Sequence, residues 1–352
     1  MSSGKRIVVV GAGAIGGYTG AHLARTGENV TLIDAWPEHV ESVRKHGMQL
    51  SGLTPQETHS IRVPILHISD VQQLTKEAPA DIVFICVKSY DTEWATHLIK
   101  SYVAPDAYFV SLQNCINEER IAAIVGWGKV LGCIASLVAA ELYAPGRVKR
   151  TVPMGGEKHT VYRVGEPHGR MTRRAEEVAG MLAKVDSSKV TTNLWGERWS
   201  KLVINSMRNG LSAATGLSGN ARDLAEGTRD VSIRLGSQAV RVGQALGFQL
   251  EKMLGMDAET LARAGEGSAD AKTEIAENLI RQARTRSDEQ RPSMAQDIFK
   301  GRRTETDFIN GFVAAKGGEI GVPAPLHATI NALVKKVERA EIKPGPELVQ
   351  GI

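Results

Sequence analysis

Three polar side chains recur every four residues along one predicted helix, in the segment RWSKLVINSMRNGLSA: Lys201, Asn205 and Asn209. At about 100° per residue they fall, together with Ser212, within one narrow stripe of the helix surface. The opposite side of the helix is apolar and consists of Val203, Ile204, Met207 and Leu211. The spacing therefore predicts an amphipathic helix with a polar stripe.

The composition of this stripe is unusual for a surface that only faces water. Its two asparagines, with Gly210, cost about 2 kcal/mol of helix propensity relative to alanine. A lysine carries a proton at neutral pH, and amides both donate and accept hydrogen bonds. The stripe thus has the groups of a polar reaction site, and the alternative is an exposed Lys/Asn face.

A glycine-rich turn follows the first predicted strand, in the segment VVVGAGAIGG. Gly11 permits a tight turn, Gly13 lets backbone amides approach a pyrophosphate, and Gly16 lets helix and strand pack closely. Ala14 and Ile15 lie between them and begin the helix. The strand before this turn, the helix after it and a second strand indicate a dinucleotide-binding unit. The alternative is a glycine-rich turn without a ligand.

Asp34 ends the second predicted strand, where an acidic side chain accepts hydrogen bonds from the adenosine ribose of a dinucleotide. A carboxylate there would repel a 2′-phosphate, and no Arg or Lys follows closely in DAWPEHVESVR. We therefore predict NAD(H) rather than NADP(H). The alternative is that Asp34 only begins a turn before Pro37.

Two further polar side chains follow predicted strands. Asn114 ends the strand AYFVSLQNC, and Lys88 follows the strand IVFICV. Ligands of open parallel sheets bind at the carboxyl ends of strands, so both residues are candidates for binding. For Lys88 the alternative is a solvated loop lysine.

The elements that must position these residues change character along the chain. In residues 1–190, apolar runs such as KRIVVV, NVTLIDA and GKVLGCIASLVAAEL alternate with helical segments, and residues 147–166 add one or two antiparallel strands. Strands without polar alternation, separated by helices, indicate a parallel sheet covered on both faces. Residues 191–352 have helical periodicity and almost no strand signal. We predict a Rossmann-type α/β domain over residues 1–190, followed by an all-α domain over residues 191–352.

The composition predicts a globular protein without a nucleic-acid or membrane signature. Hydrophobic residues make up 42% of the chain and charged residues 23%, and the net charge of +4 suits small anions but is too dilute for nucleic acid. No apolar run reaches the length of a membrane span, and the start of the chain leaves no room for a signal peptide. Cys86, Cys115 and Cys133 show no CxxC spacing. We therefore expect a soluble cytoplasmic protein with reduced thiols and no metal site.

Taken together, these motifs resemble the ketopantoate reductase (2-dehydropantoate 2-reductase) family along nearly the whole chain. Five stretches carry the resemblance: VGAGAIGG, CVKSYDT, SLQNCIN, RWSKLVINSMRNGLSA and PSMAQDIFKGRRTETDFING. The resemblance implies a Rossmann domain followed by a helical domain, with the substrate bound in the cleft between them. It also implies that a nicotinamide cofactor reduces the ketone of a branched 2-oxo acid, as in pantothenate biosynthesis.

The resemblance assigns roles to the polar stripe. Lys201 matches the family's catalytic lysine, which protonates the carbonyl oxygen as hydride arrives at the carbon. Burial would lower the pKa of such a lysine and ease proton donation. Asn205 and Asn209 match asparagines that hydrogen-bond the hydroxyl and other oxygen atoms of the substrate.

Other residues acquire roles from the same resemblance. Glu305 matches a glutamate near the lysine and the substrate hydroxyl, and its alternative is a surface ion pair with a neighbouring arginine. Ser293 matches the serine that binds the substrate carboxylate, and its alternative is a helix N-cap. Lys88 and Asn114 match residues near the nicotinamide ribose and the reacting carbonyl.

The chain departs from the family pattern at three positions. Cys115 stands where the family usually has glycine after LQN, which puts the shape of the pocket in question. Asp34 stands near a point where most relatives, which prefer NADPH, have a basic residue. A further substrate-binding asparagine of the family aligns with Gly219, and Asn220 lies one position late.

The leading functional prediction is a nicotinamide-dependent reductase of a 2-oxo acid, with ketopantoate as the first candidate. The runner-up is an NAD-dependent dehydrogenase of another hydroxy or polyhydroxy acid. A non-catalytic NAD-binding regulator is a remote alternative, which the presence of Lys201 and Glu305 disfavours. Exposed helical faces in such second domains often pair, so a homodimer is an open expectation.

Overall fold

The computed structural model describes residues 4–286 and 291–352. The chain forms two compact units, Met1–Leu194 and Trp195–Ile352. The first unit is α/β, and the described part of the second consists of helices and loops, which confirms the predicted fold class. The predicted boundary, at residue 190, falls a few residues before the observed one.

The first unit contains the strands of the molecule. They are β1 (Arg6–Val10), β2 (Asn29–Asp34), β3 (Met48–Ser51), β4 (His59–Ile61), β5 (Ile65–His67), β6 (Ala80–Ile85), β7 (Val103–Ser111), β8 (Val130–Ala135), β9 (Ala140–Ala144), β10 (Arg147–Arg150), β11 (Tyr162–Gly165) and β12 (Ser188–Thr191).

Helices connect these strands and build the second unit. Those of the first unit are α1 (Ala14–Arg25), α2 (Pro37–His46), α3 (Thr92–Ile99), α4 (Glu118–Val125) and α5 (Arg173–Leu182). The others are α6 (Leu194–Thr215), α7 (Gly219–Leu224), α8 (Glu226–Ala245), α9 (Ala258–Gly265), α10 (Ala269–Thr285), α11 (Ser293–Phe299), α12 (Thr306–Glu319) and α13 (Pro325–Glu338). None of the helices in the described residues is long and apolar enough to cross a membrane.

The large sheet has the order β12-β11-β8-β7-β6-β1-β2-β5. Its pairs are parallel except for β11 with β8. From β1 the chain proceeds first to β2 and β5 and then returns to β6 on the other side of β1. Ligands of open sheets bind outside the carboxyl ends of the strands at such a reversal. The candidate residues after β1, β2, β6 and β7 all follow carboxyl ends of this sheet.

A second sheet, of order β4-β3-β10-β9, corrects one prediction. The run GKVLGCIASLVAAEL is not one strand, because β8 ends at Ala135 and the chain turns before β9. Leu137 and Ala139 have φ of 57° and 42° in this turn, and left-handed backbone cannot continue an extended strand. The predicted antiparallel strands of residues 147–166 are β10, which pairs with β9, and β11, which pairs with β8.

Candidate active site and dinucleotide-binding loop

The glycines of the loop after β1 have three different surroundings. Gly11 has φ of 94°, and a Cβ there would lie 2.8 Å from the Val87 nitrogen. A Cβ on Gly16 would overlap the Gly11 carbonyl oxygen, so only glycine lets α1 pack this closely. A Cβ on Gly13 would meet nothing within 4 Å, and no side chain caps α1 at this residue.

The uncapped start of α1 is suited to an anion. The first N–H groups of a helix have no partner inside it, and Ala14 and Ile15 supply the first of them. Both residues are half-buried. An N-terminus without a side-chain cap, beside open space at Gly13, fits the pyrophosphate of a dinucleotide.

Asp34 makes one local contact and has one carboxylate oxygen left for others. Its Oδ1 accepts the N–H of Trp36 at 2.9 Å, so the turn that sequence analysis considered as an alternative is present. The next strand, β5, places His67 opposite Asp34 in the ladder, and the His67 Nε2 lies 3.1 Å from the Ala35 oxygen.

One residue that contacts the glycine-rich loop was not predicted from the sequence. His39, on the first turn of α2, is fully buried, and its Nε2 lies 3.0 Å from the Ala12 oxygen. In the sequence it is one polar residue in the segment PEHVESVRKH, and its position shortly after Asp34 is the only local signal that could have singled it out.

Lys88 and Asn114 lie at the carboxyl ends of β6 and β7, as predicted from their position after strands. Both are half-buried. The Asn114 backbone oxygen accepts a hydrogen bond from the Asn117 side chain at 2.9 Å. Its own side chain makes no hydrogen bond with any residue that the structure describes.

Cys115 keeps the backbone conformation that suits the family's glycine. Its φ is 65°, in the left-handed region, and the residue is 5% exposed. A non-glycine residue there costs about 1 kcal/mol or more of backbone strain. The departure from the family pattern thus places a buried side chain on a left-handed backbone that favours glycine.

Contacts on the apolar side of α6 and near its C-terminal end fix the orientation of this helix about its own axis. The Trp199 Nε1 donates to the Ala239 oxygen of α8 at 2.8 Å, and the ring lies against Gly243, where a Cβ would overlap it. A Cβ on Gly210 would overlap the Asn310 side chain of α12. Gly210 therefore serves the packing of α6 on its neighbours, not the polar stripe.

Asn205 and Asn209 differ from these packing residues in their hydrogen bonding. Lys201 and Asn205 are half-buried, and Asn209 is 7% exposed. Neither asparagine side chain makes a hydrogen bond with any described residue. Each amide can both donate and accept, so these two groups have unused capacity to bind a ligand.

Other buried asparagines show the usual pattern. The Asn310 Nδ2 donates to the Ser206 oxygen at 2.8 Å, and the Asn117 Nδ2 donates to the Ser89 hydroxyl at 3.1 Å. The Asn220 Nδ2 donates to the Arg286 oxygen at 3.0 Å. Asparagine is therefore used for structure elsewhere in the chain, and the two on the stripe stand apart from it.

Ser212 lies on the predicted stripe, but its side chain is buried by a neighbouring helix. It is fully buried, and its hydroxyl accepts a hydrogen bond from the Arg222 Nη1 at 2.9 Å. Arg222 belongs to a buried cluster in which Arg208, Arg222 and Arg286 all contact the carboxylate of Asp223. Helix α7 carries Arg222 and Asp223 and covers the stripe at this end.

Glu305 and Ser293 lie at the starts of two helices. Glu305 occupies the N-cap position of α12 and is 4% exposed, so it is not the surface carboxylate of the alternative interpretation. Ser293 is the first residue of α11, and Pro292 takes the N-cap position. The N-cap interpretation of Ser293 is therefore wrong. Its half-buried hydroxyl makes no hydrogen bond with a described residue.

Within the described residues, no group of three or more His, Cys, Asp or Glu side chains could hold a metal ion. Burial raises the pKa of the Cys86 thiol well above its usual range.

Comparisons with known proteins agree along most of the chain. The family model "Ketopantoate reductase PanE/ApbA" matches residues 7–161, and its C-terminal counterpart matches residues 193–338. The 2-dehydropantoate 2-reductase of Pyrococcus horikoshii is 30% identical over 339 residues, which cover 95% of this chain and 97% of the relative. The enzyme of the same name from Archaeoglobus fulgidus is 29% identical, with 95% and 98% covered.

Solved structures share the fold. A PanE/ApbA family ketopantoate reductase from Ralstonia eutropha JMP134 has a TM-score of 0.77 at 27% identity and covers 97% of this chain and 99% of its own. A D-mandelate dehydrogenase in complex with NADH and anilino(oxo)acetate has a TM-score of 0.78 at 23% identity, with the same shares covered. The chain belongs to the ketopantoate reductase family and is an NAD(P)-dependent oxidoreductase.

Proposed function

We propose that this protein reduces a small 2-oxo acid, with 2-dehydropantoate as the first candidate, and that NADH is its preferred cofactor. The observation that carries the proposal is the pair of unused amides on α6. Asn205 and Asn209 follow Lys201 on one helix face, and neither amide is used by the described part of the chain. The relatives named 2-dehydropantoate 2-reductase support the choice of substrate.

In the proposed reaction a bound nicotinamide cofactor supplies a hydride to the carbonyl carbon. Lys201 donates a proton to the carbonyl oxygen, because an ordinary lysine side chain carries a proton at neutral pH and can act as an acid. Asn205 and Asn209 hydrogen-bond the oxygen atoms of the substrate and orient it without adding charge.

The two residues at helix starts complete the proposed set. The Glu305 carboxylate holds the ammonium group of Lys201 and counters its charge. The Ser293 hydroxyl, which no described residue uses, donates to the substrate carboxylate. Both roles follow from the family resemblance and from the burial of Glu305 and the unused hydroxyl of Ser293.

The cofactor preference rests on Asp34. The contact with the Trp36 N–H occupies Oδ1, and the second carboxylate oxygen can accept a ribose hydroxyl. A 2′-phosphate at the same place would bring like charges together, and the cross-strand neighbour of Asp34 is His67, not Arg or Lys.

The second candidate is oxidation of another hydroxy acid with NAD. Cys115 favours it, because a side chain replaces the family's glycine directly after Asn114 and alters the space that a substrate can occupy. The D-mandelate dehydrogenase described with NADH and anilino(oxo)acetate has the same fold.

Initial rates of 2-dehydropantoate reduction, measured with NADH and NADPH in parallel, test the proposal. Rapid turnover with NADH supports both substrate and cofactor. Rapid turnover with NADPH alone would support the proposed substrate and reaction but would overturn the preference for NADH. If neither cofactor supports turnover but a hydroxy acid is oxidised with NAD, the second candidate replaces the first. Cofactor binding without turnover across a panel of acids would indicate a non-catalytic regulator.

A further inference from the structure

One buried side chain, that of His39, contacts the backbone of the glycine-rich loop, in addition to the hydrogen bonds that the Ile33 oxygen accepts from the Gly11 and Ala12 N–H groups. The His39 Nε2 lies 3.0 Å from the Ala12 oxygen, and the Gly146 N–H points to Nδ1 with a nitrogen–nitrogen distance of 2.8 Å. A backbone N–H can only donate, so Nδ1 must be the unprotonated acceptor. The Nε2 then carries the hydrogen and donates to Ala12, which specifies one neutral tautomer.

This hydrogen bond also determines the direction of the next N–H group. A trans peptide unit is planar, so the Ala12 carbonyl and the Gly13 N–H point in opposite directions. With the carbonyl turned towards His39, the Gly13 N–H points away from it. That N–H has no hydrogen-bond partner among the described residues, and the space beside Gly13 is open.

The small sheet holds His39 in place. Gly146 lies in the turn between β9 and β10, with φ of 72°, and a Cβ there would lie 2.6 Å from the Ser42 hydroxyl. The same hydroxyl donates to the Pro145 oxygen at 3.0 Å. His39 and Ser42 lie one turn apart on α2, so the turn docks on that helix through two neighbouring contacts.

We propose that His39 is a positioning residue that directs the Gly13 N–H at the cofactor pyrophosphate, and that the small sheet exists in part to brace it. The inference rests on the dinucleotide site alone and holds for any oxo acid. Binding measurements therefore separate its failure from a failure of the proposed substrate.

Protonation of His39 would disrupt this arrangement. A hydrogen on Nδ1 would face the Gly146 N–H, and the turn would lose its contact. Burial lowers the pKa of His39, and the nearby Asp34 opposes that shift. The other charged side chains of α2 are Glu38, Glu41, Arg44 and Lys45, and Arg147 follows the turn; all five are exposed. The glycine-rich loop itself has no charged side chain.

The test uses His39→Leu, which removes both hydrogen bonds, and His39→Gln, which keeps a donor for the Ala12 oxygen. His46→Leu, an exposed histidine on the same helix, is the matched control. The dissociation constants of NADH and of adenosine, which has no phosphate, are measured by titration calorimetry. We expect His39→Leu to weaken NADH binding about 10- to 50-fold, the effect of one buried hydrogen bond, and to leave adenosine binding unchanged.

His39→Gln should recover NADH affinity to within about fivefold of the native protein, since one hydrogen bond is restored. Unchanged NADH affinity in His39→Leu would overturn the inference, and so would an equal loss for NADH and adenosine, which indicates general damage. If His39→Leu does not fold, the pH dependence of NADH affinity in the native protein and in His39→Gln tests the proposal instead. The native protein should lose NADH affinity as pH falls through the pKa of His39, which lies below the ordinary histidine value of about 6.5, whereas His39→Gln should not, and parallel profiles would contradict the proposal.

Discussion

The two units build their candidate sites from different chemical groups. In the first unit the groups are mostly backbone N–H and carbonyl groups of the loop after β1, and glycines make the geometry possible. In the second unit they are side chains, with Lys201, Asn205 and Asn209 on one helix. Backbone groups are present in every sequence, whereas an ammonium or amide group is lost with a single substitution. Changes in the first unit should therefore alter cofactor affinity, and changes in the second should alter turnover.

The two units also differ in the structural role of a buried histidine. His39 in the first unit contacts the glycine-rich loop, whereas His327 in the second unit joins helices only. The His327 Nε2 donates to the Leu235 oxygen of α8 at 2.9 Å, and its Nδ1 accepts from the Asn310 side chain of α12 at 3.1 Å. One residue type thus contacts the glycine-rich loop in one unit and packs helices together in the other.

The sharpest test of this contrast is the removal of the ammonium group from α6. We expect Lys201→Met to lower kcat about 1,000-fold, the typical loss of a general acid, and to leave the dissociation constant of NADH within about twofold. Lys336→Met, at an exposed lysine of the same unit, is the control. A variant that retains a tenth of the native kcat would remove Lys201 from the proposed mechanism.

Two glycine substitutions should separate the units by their effect on cofactor binding. A Cβ at Gly16 meets backbone, and one at Gly210 meets the side chain of Asn310. We expect Gly16→Ala to cost about 3 kcal/mol of unfolding free energy and to weaken NADH binding, because the loop must shift. Gly210→Ala should cost about 1–3 kcal/mol and leave NADH binding unchanged.

Urea unfolding and NADH titration measure both effects. Gly180→Ala is the control, because Gly180 is exposed and a Cβ there meets nothing within 4 Å. It should be neutral or slightly stabilising, since alanine favours a helix over glycine. Equal effects of Gly16→Ala and Gly210→Ala on NADH binding would contradict the division of roles.

Lowering the pH should distinguish His327, which packs helices together, from His39, which contacts the glycine-rich loop. Burial lowers the pKa of His327 to about 4, so the neutral form is favoured in the folded state. The neutral His327 therefore contributes about 3 kcal/mol to the free energy of unfolding above about pH 6.5. This contribution is lost as pH falls towards 4. His327→Gln, which cannot titrate, should flatten this part of the stability profile without changing NADH affinity. An unchanged acid profile in the variant would disprove the assignment.

Replacement of Asp34 should change the cofactor preference by a smaller factor than Lys201→Met changes kcat. We expect Asp34→Ser to shift the ratio of kcat/KM for NADPH over NADH about 10-fold or more towards NADPH, since the repulsion of the 2′-phosphate is removed. Asp70→Ser, an exchange of an acidic residue elsewhere in the same unit, controls for net charge. An unchanged ratio would mean that Asp34 only forms its turn with Trp36.

The smallest expected effect is at Cys115. Glycine adopts left-handed backbone without strain, so Cys115→Gly should recover about 1 kcal/mol, less whatever the buried thiol contributes by packing. The same variant tests the second candidate function, because it restores the family's residue. A rise in 2-dehydropantoate turnover relative to other acids would show that Cys115 selects the substrate.

Several features were predictable because they depend on residues close together in the sequence. The loop after β1 is recognisable from Gly11, Gly13 and Gly16 between a strand and a helix. The helical period places Lys201 and Asn205 on one face wherever the helix packs. Family motifs then connect these local patterns to a reaction.

Other features depend on contacts between distant segments, which no local pattern encodes. The angular position of Ser212 matches the stripe, but α7 brings Arg222 onto its hydroxyl and buries it. The glycine of the stripe segment, Gly210, is explained by Asn310, a hundred residues later in the chain. Helical periodicity predicts the direction in which a side chain points from its helix. Which residues contact that side chain depends on how other elements pack against the helix.

The same reasoning explains why His39 was missed. Its role depends on Ala12 on one side and Gly146 on the other, and Gly146 reaches it only because the small sheet folds back over α1 and α2. The sequence is enough to recognise a dinucleotide loop, since the needed glycines are adjacent in the chain. Which side chain holds that loop is settled by tertiary structure, because a hydrogen bond requires two atoms to meet in space, whatever their separation along the backbone.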